Sequence, residues 1–361
     1  MKDILVLGAT GFIGKSTLDL ARHHKDKFRV VGLHAHSSKE TLASLESEFH
    51  CPTTLSSLEG EDGIARLLDA AKPQIVVNGI AGSAGLVPSK MVLERGIDLA
   101  LANKESVVMA WHLINEIARK SGAKILPVDS EHSAIFNLAS FCGRDKIAEI
   151  ILTASGGPFR NYSEFQLENV TLADALKHPT WNMGKKITVD SATLANKGLE
   201  VIEACRLFEM PPECVDVVVH PESLVHSLVR TTDGILYAQI SEPDMRHPIM
   251  GALCFPEYVD SGLEKFSLAG HNMSFMQARR ETFPLLDAAY SAVRRGPLYT
   301  IAFNAADEVA ANAFIEGRIK FLQIARVVQR TLEMDWSGNL SDWDDVFQCD
   351  RAARAAAEEM L

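Results

Sequence analysis

The chain has 361 residues, 47% of them apolar and 23% charged, with a formal net charge of −11 at pH 7. That length exceeds one ordinary core and points to two or three globular domains. The acidic balance argues against nucleic acid as a partner, since that needs a basic footprint, and no apolar run approaches the ~18 residues of a membrane span.

Residues 1 to about 128 alternate short β-rich runs with amphipathic ones. Strands are expected at 4–7, 28–33, 75–78, 98–101 and 124–128, with helices at 16–24, 39–49 and 106–120 between them. Such alternation predicts βαβ units and a parallel sheet. From about 147 the pattern changes to strands at 147–153, 215–219, 224–229 and 235–240, the last two joined at Asp233-Gly234 as a hairpin. A continuous helix over 191–208 is expected to cover this second sheet. Residues 255–281 read as a linker, and helices are expected at 285–294, 304–316, 322–333 and 350–360. The expected fold is α/β: a Rossmann-like domain over 1–129, an α+β catalytic and dimerisation domain over 130–254, the linker, and a C-terminal helical bundle over 282–361.

The chain opens MKDILVLGATG, so no leader is expected ahead of the first strand. Cys51, Cys142, Cys205, Cys214, Cys254 and Cys349 show no metal-ligand spacing, so they read as reduced thiols of a cytoplasmic protein.

Gly8, Gly11 and Gly14 stand between the first strand and the first helix. Glycines there permit a tight turn and bring backbone N–H groups to a pyrophosphate at a helix N-terminus. The second strand ends in His34-Ala35-His36-Ser37-Ser38-Lys39, without the acid that binds the ribose of NAD. Hydroxyls, imidazole and a lysine suit a 2′-phosphate, so NADP(H) is the expected cofactor. Short-chain dehydrogenase chemistry is excluded, because no tyrosine has a lysine four residues on: the five positions hold Gln166, Ser241, Gly262, Arg294 and Phe303.

Polar residues gather at other element ends. Asp129-Ser130-Glu131-His132 follows an apolar run, and Asn103-Lys104-Glu105 follows another, at the sheet edge where α/β folds bind ligands. Ser155-Gly156-Gly157 offers an anion cradle, residues 177–186 have the composition of a lid, and Ser191, Asn196, Lys197 and Glu200 fall on the expected helix. Asp129 and Glu131, two apart in an extended segment, would face one side and could hold a hard cation.

The motifs ATGFIG, LANKES, PVDSEH, SGGPFR, HPTWNMG, DSAT, NKGLE, HPES and EPDMR occur in this order. In this the chain closely resembles the 1-deoxy-D-xylulose 5-phosphate reductoisomerase family, from residue 3 to the C-terminal helices. The resemblance implies an NADPH-dependent enzyme of non-mevalonate isoprenoid precursor synthesis that needs Mg²⁺, Mn²⁺ or Co²⁺. Such an enzyme rearranges a small phosphorylated ketose and reduces the product to 2-C-methyl-D-erythritol 4-phosphate. It also implies a homodimer and sensitivity to fosmidomycin.

Carried over by motif, the metal ligands are Asp129, Glu131 and Glu200, with Glu203 the competing carboxylate. Ser155, Ser191, Asn196 and Lys197 match the phosphate site, while Lys104 and Ser130 match contacts to the substrate's hydroxyl chain. His178 and Trp181 match substrate contacts on the lid, His178 also among the catalytic residues, with Met183 and Gly184 toward the nicotinamide. Thr10, Gly11, Phe12, Ile13, His36, Ser37, Ser38, Asn103 and Glu105 match the cofactor site, and His226 a histidine nearby. The chain departs from the family at His36-Ser37-Ser38, commonly Gly-Lys-Asn, and at Phe12, commonly a small residue. Competing readings are a metal-independent NADP-linked dehydrogenase and a non-catalytic NADP-binding regulator.

Overall fold

The first strand, β1 (Lys2–Leu7), is followed by α1 (Phe12–His23), β2 (Phe28–Ala35), α2 (Lys39–Phe49), β3 (Thr53–Leu55) and α3 (Ser56–Ala71). The alternation continues through β4 (Ile75–Asn78), α4 (Leu86–Glu94), β5 (Asp98–Leu101), α5 (Lys104–Ser121), β6 (Ile125–Pro127) and α6 (Ser130–Cys142). The coordinates are a computed structural model that describes every residue except Asn182. Every neighbouring pair in this sheet is parallel, in the order β3-β2-β1-β4-β5-β6. Ile4, Leu5, Val6 and Leu7 have no exposed surface, as expected of a central strand covered on both faces. The chain order switches direction between β1 and β4, and crevices at the carboxyl ends of such strands are where open α/β sheets take ligands. Among the expected strands β3 was absent, because three residues are too few to show a period.

The second sheet begins with β7 (Ile147–Ala154), followed by two one-turn helices, α7 (Glu164–Leu167) and α8 (Leu172–Ala175), then α9 (Lys185–Thr193) and α10 (Ala195–Leu207). Next come β8 (Val215–Val219), β9 (Val225–Thr231), β10 (Leu236–Ile240), α11 (Arg246–Cys254) and β11 (Met276–Gln277). The order is β10-β9-β7-β8-β11, with only β7 and β8 parallel. The β9–β10 hairpin turns at Gly234, φ 88°, and Asp233 Oδ1 accepts from the Ile235 N–H at 3.2 Å. Leu199 and Ile202 of α10 join Leu152 and Val217 of the sheet in one core.

The expected single helix over 191–208 is two helices. Leu194 adopts φ 62°, which ends α9 and restarts the chain as α10. A left-handed leucine costs about 1–2 kcal/mol, so surrounding contacts must hold it; Leu194 is 4% exposed within the core.

Four helices close the chain: α12 (Leu285–Arg295), α13 (Pro297–Ile315), α14 (Phe321–Glu333) and α15 (Trp343–Glu358). From Tyr299 to Ala311 every residue of α13 is buried, the pattern of a helix enclosed on all sides, and α12, α14 and α15 pack against it.

Two units divide the chain. One comprises Met1–Ser106, His112–Ser133 and Asp244–Lys265; the other comprises Val107–Trp111, Ala134–Pro243 and Phe266–Leu361. The return of 244–265 to the first unit has specific ties. Arg246 donates to Asp19 of α1 at 2.8 Å, and Lys2 Nζ donates to the Leu253 carbonyl at 2.8 Å. No composition shift in the sequence announces that return. No helix among the described residues is long and apolar enough to cross a membrane.

Candidate active site

In the first unit the glycine loop between β1 and α1 is shaped by close backbone approach. A Cβ on Gly14 would stand 2.3 Å from the Gly8 carbonyl oxygen, and Gly8 itself has φ 79° with Gly79 close by. Gly11 caps α1, so Phe12 and Ile13 form its first turn, four residues before the expected start. Without acids in that turn, the unpaired N–H groups there favour an anion. Phe12 is 38% exposed beside this loop. His36 Nδ1 lies 3.1 Å from Ser56 Oγ, and Ser37 and the α2 N-cap Ser38 are exposed after the second strand.

Sequence reasoning missed His34. Its Nδ1 accepts the Gly8 N–H at 3.2 Å, so the ring proton sits on Nε2, which is buried with no partner. Burial, then repulsion from His36, lowers the His34 pKa to about 4. A histidine reaching back to a glycine amide leaves no periodic signal.

Asn103 caps α5, its Oδ1 accepting from the Ser106 N–H at 3.2 Å. Its amide donates to the carbonyls of Ile80 and Gly82 and to Glu105, and Glu105 accepts from the Gly82 N–H. The two residues thus brace the loop after β4. The helix expected from 106 starts at Lys104, because the Asn103 cap precedes it.

Lys104 Nζ lies 2.5 Å from Asp129 Oδ2, with the side chains 7% and 9% exposed. Burial works against the Asp129 charge, but Lys104 and His132 outweigh it and hold the carboxyl well below the usual carboxylate range. Glu131 corrects the expectation of an extended segment. It lies in the first turn of α6, whose opening bond runs from the Ser133 N–H to the Asp129 carbonyl. Asp129 and Ser130 favour a helix start, and an acid in the first turn complements the helix dipole. The carboxylates still converge: oxygens of Asp129 and Glu131 lie within 4.8 Å of each other. Ser130 donates to Glu131 at 2.5 Å. Two hard oxygen donors at that spacing fit a magnesium-like cation, which prefers few carboxylates and retains water or substrate oxygens.

In the second unit the Ser155-Gly156-Gly157 turn has φ 78° and 66° at its glycines. A Cβ on Gly157 would stand 2.6 Å from the Ser191 carbonyl oxygen, so this turn presses on α9. Ser191 does not open a helix as expected; it lies in the last turn of α9, because Leu194 breaks the chain three residues later. Asn196 and Lys197 occupy the first turn of α10. Lys197 is buried, donating to the Thr153 carbonyl at 2.5 Å and pairing with Glu200, while the Asn196 amide donates to Glu200 at 2.5 Å. The Lys197–Glu200 pair is therefore internal rather than a surface pair.

His178 Nε2 lies 3.1 Å from Ser155 Oγ, and its Nδ1 accepts the backbone N–H of Trp181 at 2.8 Å. Burial, then the nearby Arg160, lowers its pKa to about 4. Gly184 caps α9 directly after this segment, Trp181 and Met183 are half-buried, and Asn182 lies outside the described residues. His226 Nε2 lies 2.8 Å from Ser241 Oγ.

Sequence profiles for 1-deoxy-D-xylulose 5-phosphate reductoisomerase match residues 4–57 and 51–111, for its C-terminal domain 125–208, and for the DXP reductoisomerase C-terminal domain 240–356. The enzyme of that name from Treponema denticola is 45% identical over 99% of this chain and 96% of its own length. The one from Treponema pallidum is 46% identical over 100% and 98%. A crystal structure of DOX-P reductoisomerase with NADPH, fosmidomycin and magnesium superposes with a TM-score of 0.93 at 36% identity, covering 100% of this chain and 98% of its own. The Zymomonas mobilis reductoisomerase with NADPH gives 0.90 at 36%, covering 99% and 98%. Full-length likeness at this level, together with the residues described above, makes the chain a member of the 1-deoxy-D-xylulose 5-phosphate reductoisomerase family.

Proposed function

We propose that this protein is the NADPH- and divalent-metal-dependent enzyme that converts 1-deoxy-D-xylulose 5-phosphate to 2-C-methyl-D-erythritol 4-phosphate. The observation that carries the reading is the buried Lys104–Asp129 pair beside Glu131, at the carboxyl end of a parallel sheet, in a chain of this family. A plain NADP-linked dehydrogenase has no use for that carboxylate pair.

Asp129, Glu131 and Glu200 are the residues to hold one divalent cation, Mg²⁺, Mn²⁺ or Co²⁺. When bound, the cation supplies Lewis-acid polarisation of the substrate's ketone and NADPH supplies the hydride. Lys104 provides a fixed positive charge next to that ketone, in a water-poor setting where such a charge is strongest. Ser130 orients the substrate's hydroxyls. Ser155, Ser191, Asn196 and Lys197 grip the phosphate, and His178 with Trp181 closes a lid that excludes water.

Thr10, Gly11, Phe12 and Ile13 receive the pyrophosphate of NADPH, and His36, Ser37 and Ser38 its 2′-phosphate. Asn103 and Glu105 shape the neighbouring loop, and Gly184 meets the nicotinamide side. We assign cofactor binding to 1–129, catalysis and dimerisation to 130–254, a linker to 255–281 and a helical part to 282–361, with Lys104 and Asp129 of the first part also serving the chemistry and Gly184 of the second the cofactor.

The homodimer is supported by the open edge of β10, where Leu236 and Ile240 are exposed. An unpaired, apolar strand edge is a natural pairing surface for a second copy. Cytoplasmic residence is supported by six cysteines that are all free thiols. The deciding assay follows NADPH oxidation with 1-deoxy-D-xylulose 5-phosphate, with and without a chelator. Turnover that persists without divalent metal would reject this function in favour of a simple dehydrogenase.

A further inference from the structure

Helix α9 carries Ser191 in its last turn and has little of its own to fix its pose. It is nine residues long, has no side-chain cap at Gly184, and ends where Leu194 turns left-handed. A helix of that length is marginal alone and depends on tertiary ties. Its Val189 and Ala192 are in the core. Apolar contact is non-directional, however, and does not by itself fix rotation about the helix axis.

Lys186 supplies a directional tie. Its Nζ lies 2.7 Å from Asp190 Oδ2, one turn on in α9, and donates to Asp307 Oδ2 of α13 at 2.6 Å. The Asp190 and Asp307 side chains are 4% and 0% exposed. The other Asp307 oxygen, Oδ1, is buried with no partner among the described residues. A buried carboxylate is costly unless paired, so Asp307 holds Lys186 firmly. Yet Lys186 and Asp190 would already balance each other's charge within α9. Asp307 is therefore surplus to neutrality, and what it adds is attachment to the bundle.

Ser191 follows Asp190 directly, about 100° further round the helix. There α9 meets the anion turn, since a Cβ on Gly157 would stand 2.6 Å from the Ser191 carbonyl oxygen. A roll of ~10° moves an atom ~5 Å from a helix axis by roughly 0.9 Å. That is enough to take a hydrogen bond out of range.

We infer that Asp307 is a positioning residue for phosphate binding: through Lys186 it fixes the rotation of α9 and so aims Ser191 at the anion. The central helix of the C-terminal bundle thereby shares in substrate recognition without a phosphate contact from Asp307. The inference rests on the reading of Ser191 as a phosphate ligand; the tie between α9 and α13 does not.

Two substitutions separate attachment from packing. Asp307→Val fills similar space and leaves Lys186 paired with Asp190, so no buried charge is orphaned. Asp307→Asn restores an acceptor for the Lys186 ammonium. Fosmidomycin affinity, with NADPH and Mg²⁺ present, is measured in wild type and in both variants. Each is also measured with Ser191→Ala and, separately, with Ser155→Ala. Steady-state kinetics give KM and kcat for 1-deoxy-D-xylulose 5-phosphate, and urea midpoints report folding.

Asp307→Val should weaken fosmidomycin about ten-fold, one charge-assisted hydrogen bond's worth. KM should rise by a similar factor with kcat near wild type, the mark of lost uniform binding. Ser191→Ala should cost ~10- to 150-fold in wild type but no more than about threefold in Asp307→Val. The Ser155→Ala cost should be the same in both backgrounds, and Asp307→Asn should restore the wild-type pattern. An undiminished Ser191→Ala cost in Asp307→Val overturns the inference, as does an equal fall in the Ser155→Ala cost, which would mean general loosening. Should Asp307→Val not fold, Asp307→Ala repeats the cycle. Failure of both to fold would make Asp307 a residue of the fold alone and overturn the inference. If Ser191→Ala costs nothing in wild type, the phosphate reading of Ser191 fails, and the inference with it.

Discussion

Lys197 and Glu200 form an ion pair one turn apart on α10, with side chains only 4% and 1% exposed. The residue proposed to hold the substrate's phosphate thus pairs with the one proposed to help hold the metal. A buried carboxylate needs such a partner, since its charge is otherwise costly.

Glu200→Gln tests the metal half. A neutral amide is a poor ligand for a hard cation, so turnover should be lost, while the NADPH dissociation constant stays near wild type because the dinucleotide loop is in the other unit. Steady-state kinetics with metal varied, and NADPH fluorescence titration, are the measurements. Wild-type activity at low metal concentration would remove Glu200 from the ligand set.

The phosphate half is tested by Ser191→Ala and Lys197→Met. A hydrogen bond to a charged group is worth ~1.5–3 kcal/mol, so each should weaken substrate binding ~10- to 150-fold. The check compares phosphorylated and dephosphorylated substrate analogues. Equal losses for both would mean that these side chains support the fold rather than grip the phosphate. Lys197→Met also leaves Glu200 without its buried partner, so Ser191→Ala is the cleaner of the two.

Gly14→Ala tests the cofactor loop. The added methyl would meet the Gly8 carbonyl oxygen at 2.3 Å and Ala9 Cα at 2.5 Å, both backbone atoms that no rotamer can move. The turn must open, and NADPH affinity should fall by at least ten-fold with circular dichroism little changed. Unaltered NADPH binding would mean that the cofactor does not use this turn.

Part of this architecture is legible in the amino-acid sequence and part is not. Alternating β-rich and amphipathic runs mark five strands of the first sheet, because a central parallel strand must be apolar throughout. The polar residues that end those runs lie at the sheet edge, as at Asn103 and Asp129. Less is legible where one backbone torsion decides. Leu194 divides an apparently continuous helix, moving Ser191 from a helix start to a helix end, and nothing in a leucine's side chain foretells φ 62°. Glu131 reads as extended because DSEH offers no period, yet it lies in the first turn of α6, whose opening bond runs from the Ser133 N–H to the Asp129 carbonyl. His34 and the return of 244–265 depend on tertiary contacts between residues far apart in sequence.

His34 gives a pH prediction. Its folded pKa of about 4 lies below the ~6.5 of an unfolded histidine, so between those values the unfolded chain binds more protons. Stability is therefore fully present above about pH 6.5 and declines as pH falls toward 4, by an amount on the order of 3 kcal/mol from this residue. In His34→Val the acid decline should be shallower over that window, read from urea midpoints at several pH values. Parallel curves for the two proteins would show that His34 protonation is not linked to unfolding.

The remaining prediction concerns fosmidomycin, a hydroxamate joined to a phosphonate. A hydroxamate presents two oxygens that can chelate one hard cation, in place of the substrate's ketone and hydroxyl oxygens. Its phosphonate, a short spacer away, suits the donors Ser155, Ser191, Asn196 and Lys197. Chelation and charge pairing joined by one linker reinforce each other, because the first contact raises the effective concentration of the second. Trp181 should then cover the spacer and remove apolar surface from water. Inhibition is expected to compete with substrate, to require divalent metal, and to weaken several-fold in Trp181→Ala. Titration against substrate, with metal varied, decides the matter. Inhibition that persists undiminished in chelator, or that competes with NADPH instead, would mean that the carboxylates and the phosphate donors do not serve one substrate.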